Sequence, residues 1–120
     1  MKEIGFRAIL PEFPLKRNYV MKTADVFVRD VAAVLADLNR KKDVRIFMDA
    51  LLTPSERARI GLRWRLVCLL AAGVPQRVIA KRLGISLCKI TRGSRELKFK
   101  PAFRKIVADY KKKRERKIGS

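Results

Sequence analysis

The sequence of 120 residues predicts an all-α fold of six helices in one small domain. Apolar residues recur three and four residues apart, as on one face of a helix, and signals that start and stop helices separate these stretches. No segment alternates apolar and polar residues as a β-strand does, and no internal repeat is visible. With 48% apolar residues, a chain of this length builds one core, alone or with a second copy of itself.

The N-terminal part is predicted to be an arm, residues 1–21, followed by the helical domain, residues 22–120. The arm has too much apolar surface for a disordered tail, so we expect it to pack on a partner subunit. A first helix is predicted at about 24–40, with Thr23 as its N-cap and an apolar stripe of Phe27, Val31, Val34, Leu35 and Leu38. A second helix is predicted at about 44–51, after a cap at Asp43.

The central helix has the clearest start signal. Thr53 stands at the cap, Pro54 at the first helical position, and Glu56 three residues after the cap, which is the capping-box pattern. The helix is predicted to run to about Ala72 and to stop at Gly73. Its apolar residues occupy more than one face, which is typical of a helix at the centre of a fold or in a dimer interface.

Residues 75–97, here called the helix pair, have the spacing of a helix-turn-helix. Gly84 permits the positive φ that ends the first helix, and Ser86 caps the second. The side chains expected to face the core are Val78, Ile79, Leu83 and Ile90. Those expected on the outer face of the second helix are Leu87, Cys88, Lys89, Thr91 and Arg92. A last helix is predicted at about 101–114.

The charge of the chain indicates a polyanionic partner. The sequence has 30 Lys and Arg against 11 Asp and Glu, a net charge of +19, of which +13 lies from Gln76 onward. A helix N-terminus with Thr and Arg on its outer face fits the major groove of double-stranded DNA, while Arg77 and nearby cations meet phosphates. Ten Lys and Arg lie between Lys98 and Lys117, and we interpret the last helix and tail as additional phosphate contacts.

Several classes of protein are disfavoured by composition. The chain has no His, and Cys68 and Cys88 lie far apart, so we expect neither a metal site nor His-dependent catalysis, and no enzyme. We interpret the two cysteines as small buried hydrophobic residues of a protein in a reducing cytoplasm, and we do not expect a disulfide between them. No run is long and apolar enough to span a bilayer, so we expect a cytoplasmic, nucleoid-associated protein with no membrane partner.

Residues 51–98 resemble the tryptophan repressor family of bacteria, and the block Ile90-Thr91-Arg92-Gly93-Ser94 is the most specific part of the resemblance. The resemblance implies an intertwined homodimer of six-helix subunits, each with a helix-turn-helix. It also implies a sequence-specific, DNA-binding transcriptional repressor that responds to L-tryptophan, or a related ligand, as corepressor.

The resemblance further implies roles for single residues in a ligand site. Arg63 would pair with the carboxylate of tryptophan, and Arg92 would cover the indole ring. The backbone carbonyls of Leu52 and Thr53 would face the ligand ammonium, and Gly93 would leave room beside the ring.

The resemblance also implies contacts to DNA phosphates or base edges by five residues: Arg77, Leu87, Cys88, Thr91 and Lys98. Lys89 is added to this set because it lies on the outer face of the second helix.

Two residues depart from the family pattern. Glu96 stands where well-known members have a serine near the ligand amino group, and its carboxylate would pair either with that ammonium or with Arg92. Ser86 caps the second helix where some members have glycine, which orders this helix without ligand. The alternative function is therefore a ligand-independent DNA-binding regulator or a nucleoid-type architectural protein. A basic protein that binds an anionic membrane or RNA through its tail is a third hypothesis.

Overall fold

A computed structural model describes the backbone of residues 17–119 and the side chains of residues 24–118. Within this range the chain is all-helical, with six α-helices and no strand, as predicted. The helices are α1 Arg17–Asp37, α2 Lys41–Leu51, α3 Pro54–Ala71, α4 Gln76–Leu83, α5 Leu87–Phe99 and α6 Pro101–Gly119. The chain divides into two compact units, Met1–Phe47 and Met48–Ser120.

Helix α1 differs from its prediction at both ends. It begins at Arg17, so Thr23 lies inside the helix and is not its N-cap, and it ends at Asp37 instead of residue 40. Residues 17–21 of the predicted arm are therefore helical, while residues 1–16 lie outside the described part of the chain. Helical spacing continues upstream of Thr23, and a polar residue that is able to cap does not by itself begin a helix.

Helix α2 begins at Lys41, two residues before the predicted cap, and Asp43 lies in its first turn. There the carboxylate complements the partial positive charge of the helix N-terminus. The turn between α2 and α3 is held by Arg57, which sequence reasoning missed. Its Nη1 donates hydrogen bonds to the carbonyl oxygens of Asp49 at 3.0 Å and Leu52 at 2.6 Å. Its Nε lies 3.4 Å from the Asp49 carboxylate.

Helix α3 has the predicted capping box. The backbone N–H of Glu56 donates to Thr53 Oγ1 at 3.2 Å, and the Thr53 N–H donates to Glu56 Oε1 at 3.3 Å. At the other end Gly73 has φ +81°, and the N–H groups of Gly73 and Val74 donate to the carbonyls of Leu70 and Leu69. This is a Schellman ending, which satisfies the last carbonyls of the helix.

Helices α4 and α5 are joined by a turn at Gly84, Ile85 and Ser86. Gly84 has φ +63°, which L-residues with a side chain rarely adopt, and the Ser86 hydroxyl accepts from the Lys89 N–H at 3.4 Å. Ile79 and Ile90 are fully buried and form a core with Leu66 of α3, and Leu69, Leu70, Val74, Ala80, Leu83 and Ile85 pack around it.

Val78 was predicted to face the core, and this prediction is wrong, because its side chain is 36% exposed. Adjacent residues on a helix point about 100° apart, and α4 has only eight residues. With Ile79 directed at α3 and α5, Val78 turns toward solvent.

Helix α6 runs to Gly119, five residues beyond its predicted end. Val107 is 1% exposed, and the ring of Tyr110 meets that of Trp64 on α3 edge to face, with centroids 5.2 Å apart. Arg104 donates hydrogen bonds to the carbonyls of Leu97 and Lys98 at 3.2 Å each, which caps the end of α5. Helix α6 is thus anchored on α3 and α5 through its first ten residues.

Replacing Ile79 with Ala should lower the free energy of unfolding by about 2–5 kcal/mol, because it leaves a cavity among α3, α4 and α5. Val78→Ala removes a neighbouring, exposed side chain of the same helix and should cost less than about 1 kcal/mol. Urea denaturation followed by circular dichroism measures both. Equal losses for the two variants would contradict this description of the core.

Candidate functional site

A cleft of about 580 Å³ lies among α3, α5 and α6 in the second unit. Its apolar lining consists of Leu62, Leu66, Val67, Ile85, Phe103 and the backbone of Gly93. Its charged lining consists of Arg59, Arg63, Lys89, Arg92, Glu96 and Lys100. The volume lies in the range of small-molecule sites, and the mixture of an apolar wall with a few charged groups is typical of them.

The cleft is strongly cationic. Five basic side chains line it against one acidic one, and that one is already paired, because Glu96 Oε2 lies 2.5 Å from Lys100 Nζ. Arg63 and Arg92 have no ion-pair partner among the side chains of residues 24–118. Two guanidinium groups are therefore available for an anionic or aromatic ligand.

Glu96 was predicted to pair either with a ligand ammonium or with Arg92. In the structure it pairs with Lys100, one turn further along the chain. The pair joins the end of α5 to the start of α6, and both side chains remain partly accessible, at 39% and 65%. Arg92 is thus not neutralised by Glu96. A ligand ammonium that approaches Glu96 has to compete with the Lys100 ammonium.

Gly93 lets α5 come close to α3. A Cβ atom at this position would lie 3.3 Å from Leu66 Cδ2 and 3.4 Å from Leu70 Cδ1, which is tight contact. Because Gly93 also lines the cleft, the missing side chain leaves room both for the packing of the two helices and for a molecule beside Arg92.

The structure brings four of the six predicted ligand residues to the cleft: Arg63, Arg92, Gly93 and Glu96. Leu52 and Thr53 do not line it. The Leu52 carbonyl accepts the short hydrogen bond from Arg57, and the Thr53 side chain caps α3.

Eight further lining residues were not predicted for the ligand site: Arg59, Leu62, Leu66, Val67, Ile85, Lys89, Lys100 and Phe103. Helical spacing was the available signal, because Arg59 lies one turn before Arg63, and Lys89 and Lys100 continue the face of α5 that carries Arg92 and Glu96.

The residues predicted to contact DNA all lie on the exposed surface: Arg77, Leu87, Cys88, Lys89, Thr91 and Lys98. Leu87 is 51% exposed at the first turn of α5, where an apolar side chain has no packing reason to be. The Thr91 hydroxyl donates to the Leu87 carbonyl at 2.9 Å, which leaves its oxygen free to accept. The outer face of α5 therefore presents a small, mixed apolar and polar surface flanked by cations.

Both cysteines are free thiols. Burial raises the pKa of the Cys68 thiol, and the nearby Arg65 guanidinium partly offsets this rise. A small buried hydrophobe was predicted at both positions. Cys68 is only partly buried, and for Cys88 the prediction is wrong, because this residue is exposed on α5. Among residues 24–118 no group of His, Cys, Asp and Glu is arranged to hold a metal ion. No helix of the described segment is both long and apolar enough to cross a membrane.

The fold and the site define a class of small all-helical proteins in which a basic helix pair packs on a central helix beside a cationic cleft. Comparison with known families identifies the family within this class. The model of the family described as Trp repressor protein matches residues 28–111. The chain belongs to the Trp repressor family, whose members are DNA-binding regulators of transcription.

Relatives with the name "Trp operon repressor homolog" agree with this assignment. The protein of Mannheimia succiniciproducens is 36% identical over 81 residues, which are 67% of this chain and 79% of the relative. That of Actinobacillus succinogenes is 51% identical over 53 residues, or 43% of this chain and 52% of the relative. The matched segment thus spans about half the length of the latter. No solved structure matches the chain.

Proposed function

We propose that the protein is a homodimeric, sequence-specific DNA-binding repressor of transcription whose corepressor is L-tryptophan or a related ligand. Family membership and the names of the relatives support this proposal. The observation that carries it is the double use of α5: its first turns present Leu87, Cys88 and Thr91 outward, and its middle supplies Arg92 and Gly93 to the cleft. A ligand in the cleft would therefore act on the same helix that reads DNA.

The donor set of the cleft fits the carboxylate and the ring of tryptophan. Arg63 offers a planar fork for a carboxylate, and Arg92 offers a flat cation that stacks on an indole. Leu62, Leu66 and Phe103 supply apolar surface for the ring. When bound, the amino acid would wedge α5 at a fixed distance from α3, and the residues of the chain would hold it there.

The ammonium group of the ligand would find fewer partners in the chain than its carboxylate and its ring. The Leu52 carbonyl accepts from Arg57, and Glu96 is paired with Lys100. In the proposed mechanism, Glu96 accepts the ligand ammonium and Lys100 turns out to solvent, which costs little because a partly exposed ion pair contributes about 0–1 kcal/mol.

For DNA, we propose that the helix pair acts as a helix-turn-helix. The N-terminal turns of α5 would enter the major groove, with base edges met by Leu87, Cys88 and Thr91. Arg77, Lys89 and Lys98 would meet phosphates, which fix the position of the helix without reading sequence.

The dimer is supported by apolar side chains that the described part of one chain leaves uncovered. Phe27 is 36%, Val34 41% and Ile60 44% exposed. A second copy would cover such surface, as expected of helices shared between subunits. The proposed location is the cytoplasm, in association with the nucleoid.

A second candidate function is a ligand-independent DNA-binding regulator or architectural protein. It is favoured by the Ser86 cap, which orders the start of α5 without ligand, and by the pairing of Glu96 with Lys100. In this case the protein would bind DNA equally well with and without tryptophan.

Calorimetric titration with L-tryptophan should give one site per chain, and Arg63→Ala should weaken binding about tenfold or more, because a hydrogen bond to a charged group contributes roughly 1.5–3 kcal/mol. Arg65→Ala is the matched control, since Arg65 is an exposed arginine of the same helix outside the cleft lining. No heat with the unmodified protein would exclude the corepressor. Equal weakening by the two variants would place the ligand elsewhere.

Selection from a pool of random duplexes should yield a motif with two symmetric half-sites whose centres lie roughly 34 Å apart. Arg77→Ala should weaken binding to all sequences alike, because a phosphate contact carries no sequence information, whereas Leu87→Ala should relax the selected motif at single positions. Arg40→Ala, an exposed arginine of the first unit, is the control and should leave the motif unchanged. A pool without any enriched motif would contradict sequence-specific binding.

A further inference from the structure

The C-terminal part of α6 differs in character from the part that anchors it. Residues 111–118, here called the tail helix, are helical, and every one of their side chains is exposed. The family match ends at residue 111, so nearly all of this segment lies beyond what the family model covers. The packed part of α6 ends near Tyr110, which contacts Trp64. The tail helix thus extends about 12 Å past its last anchor.

The tail helix is basic on all sides. It holds six cations and one acid, and the cations are Lys111, Lys112, Lys113, Arg114, Arg116 and Lys117. Because adjacent residues of a helix point about 100° apart, this run surrounds the helix axis instead of forming one stripe. Like charges one turn apart, as at Lys112 and Arg116, destabilise an isolated helix, and a polyanion that neutralises them would stabilise it.

We propose that the tail helix is a second DNA-binding surface, which binds phosphates of the double helix without reading sequence. This inference goes beyond the proposed function, because it requires neither an operator nor tryptophan. A helix that lies in the major groove has a phosphate backbone on each flank, so cations on two opposite flanks of the helix can contact phosphates at the same time. The groove is about 12 Å wide, which matches the diameter of a helix with its side chains.

The shape and composition of the tail helix argue against the two other anionic partners. A helix that binds a membrane surface buries an apolar face, and Ile118 is the one apolar side chain of the tail helix. Double-stranded RNA has a deep, narrow major groove that does not admit a helix in this way. The tail helix also lacks aromatic residues on which the bases of a single strand would stack.

The test compares two full-length variants that lose the same charge. The first is Lys112→Gln, Lys113→Gln, Arg114→Gln, in which glutamine keeps the helix propensity. The control is Arg40→Gln, Lys41→Gln, Lys42→Gln in the first unit, at three exposed positions. The probe is a 20-base-pair duplex of random sequence, titrated at salt concentrations from about 0.05 to 0.3 M. Circular dichroism checks that both variants remain helical.

The tail variant should weaken binding about tenfold at 0.1 M salt. Its slope of log affinity against log salt should be shallower by roughly 0.9 for each phosphate that the variant no longer neutralises, up to about 2.7 per chain. The control should change both quantities much less. With a selected operator, the affinity of the tail variant should fall by the same factor, so that the ratio of specific to random affinity is unchanged.

Equal effects of the two variants would overturn the proposal, because they would reflect net charge alone. A loss of binding to duplex RNA or to vesicles with anionic lipid, but not to duplex DNA, would overturn it as well. The random duplex contains no operator, so the outcome is separate from that of the proposed function. A tail effect without any selected motif would support the tail helix and contradict the sequence-specific repressor.

Discussion

The close contact of α5 with α3 is the constraint on which the rest of the second unit depends. Ile90 is fully buried against Leu66 and Ile79, and Gly93, one turn later, lets the two helices approach until a Cβ would lie 3.3 Å from Leu66. These two residues orient α5, so they decide which of its side chains face the cleft and which face solvent. A change in the spacing of α3 and α5 would move both surfaces together.

The charged side chains are arranged differently in the cleft and on the outer face of α5. In the cleft, Glu96 is paired with Lys100, and the arginines at positions 63 and 92 have no acidic partner within the described chain. At the outer face, Leu87, Thr91 and the intervening Lys89 are all exposed. The tail helix carries six cations, and all of its side chains are exposed. Much of the charge of +19 thus lies at the cleft, the helix pair and the tail helix.

Local signals made most of the fold predictable. The capping box at Thr53 and the glycines at positions 73 and 84 act within one turn of backbone, so their effects follow from sequence alone. The start of α1 and the exposure of Val78 could not be predicted in this way, because helical spacing determines neither the ends of a helix nor which of its residues are buried. Arg57 joins residues of two helices, and no local pattern indicates such a tie. The family resemblance predicted that the carbonyls of Leu52 and Thr53 face the ligand. In this chain, Leu52 instead helps to hold the α2–α3 turn, and Thr53 caps the start of α3.

The affinity of the protein for a selected operator duplex, with and without saturating L-tryptophan, tests the central claim most directly. A ligand that fixes α5 against α3 should raise the affinity about tenfold, within the usual range of coupling between two sites. The Arg63→Ala variant should bind the operator as the unmodified protein does without ligand, and should not respond to tryptophan. The same affinity with and without tryptophan in the unmodified protein would contradict the account and leave the ligand-independent regulator.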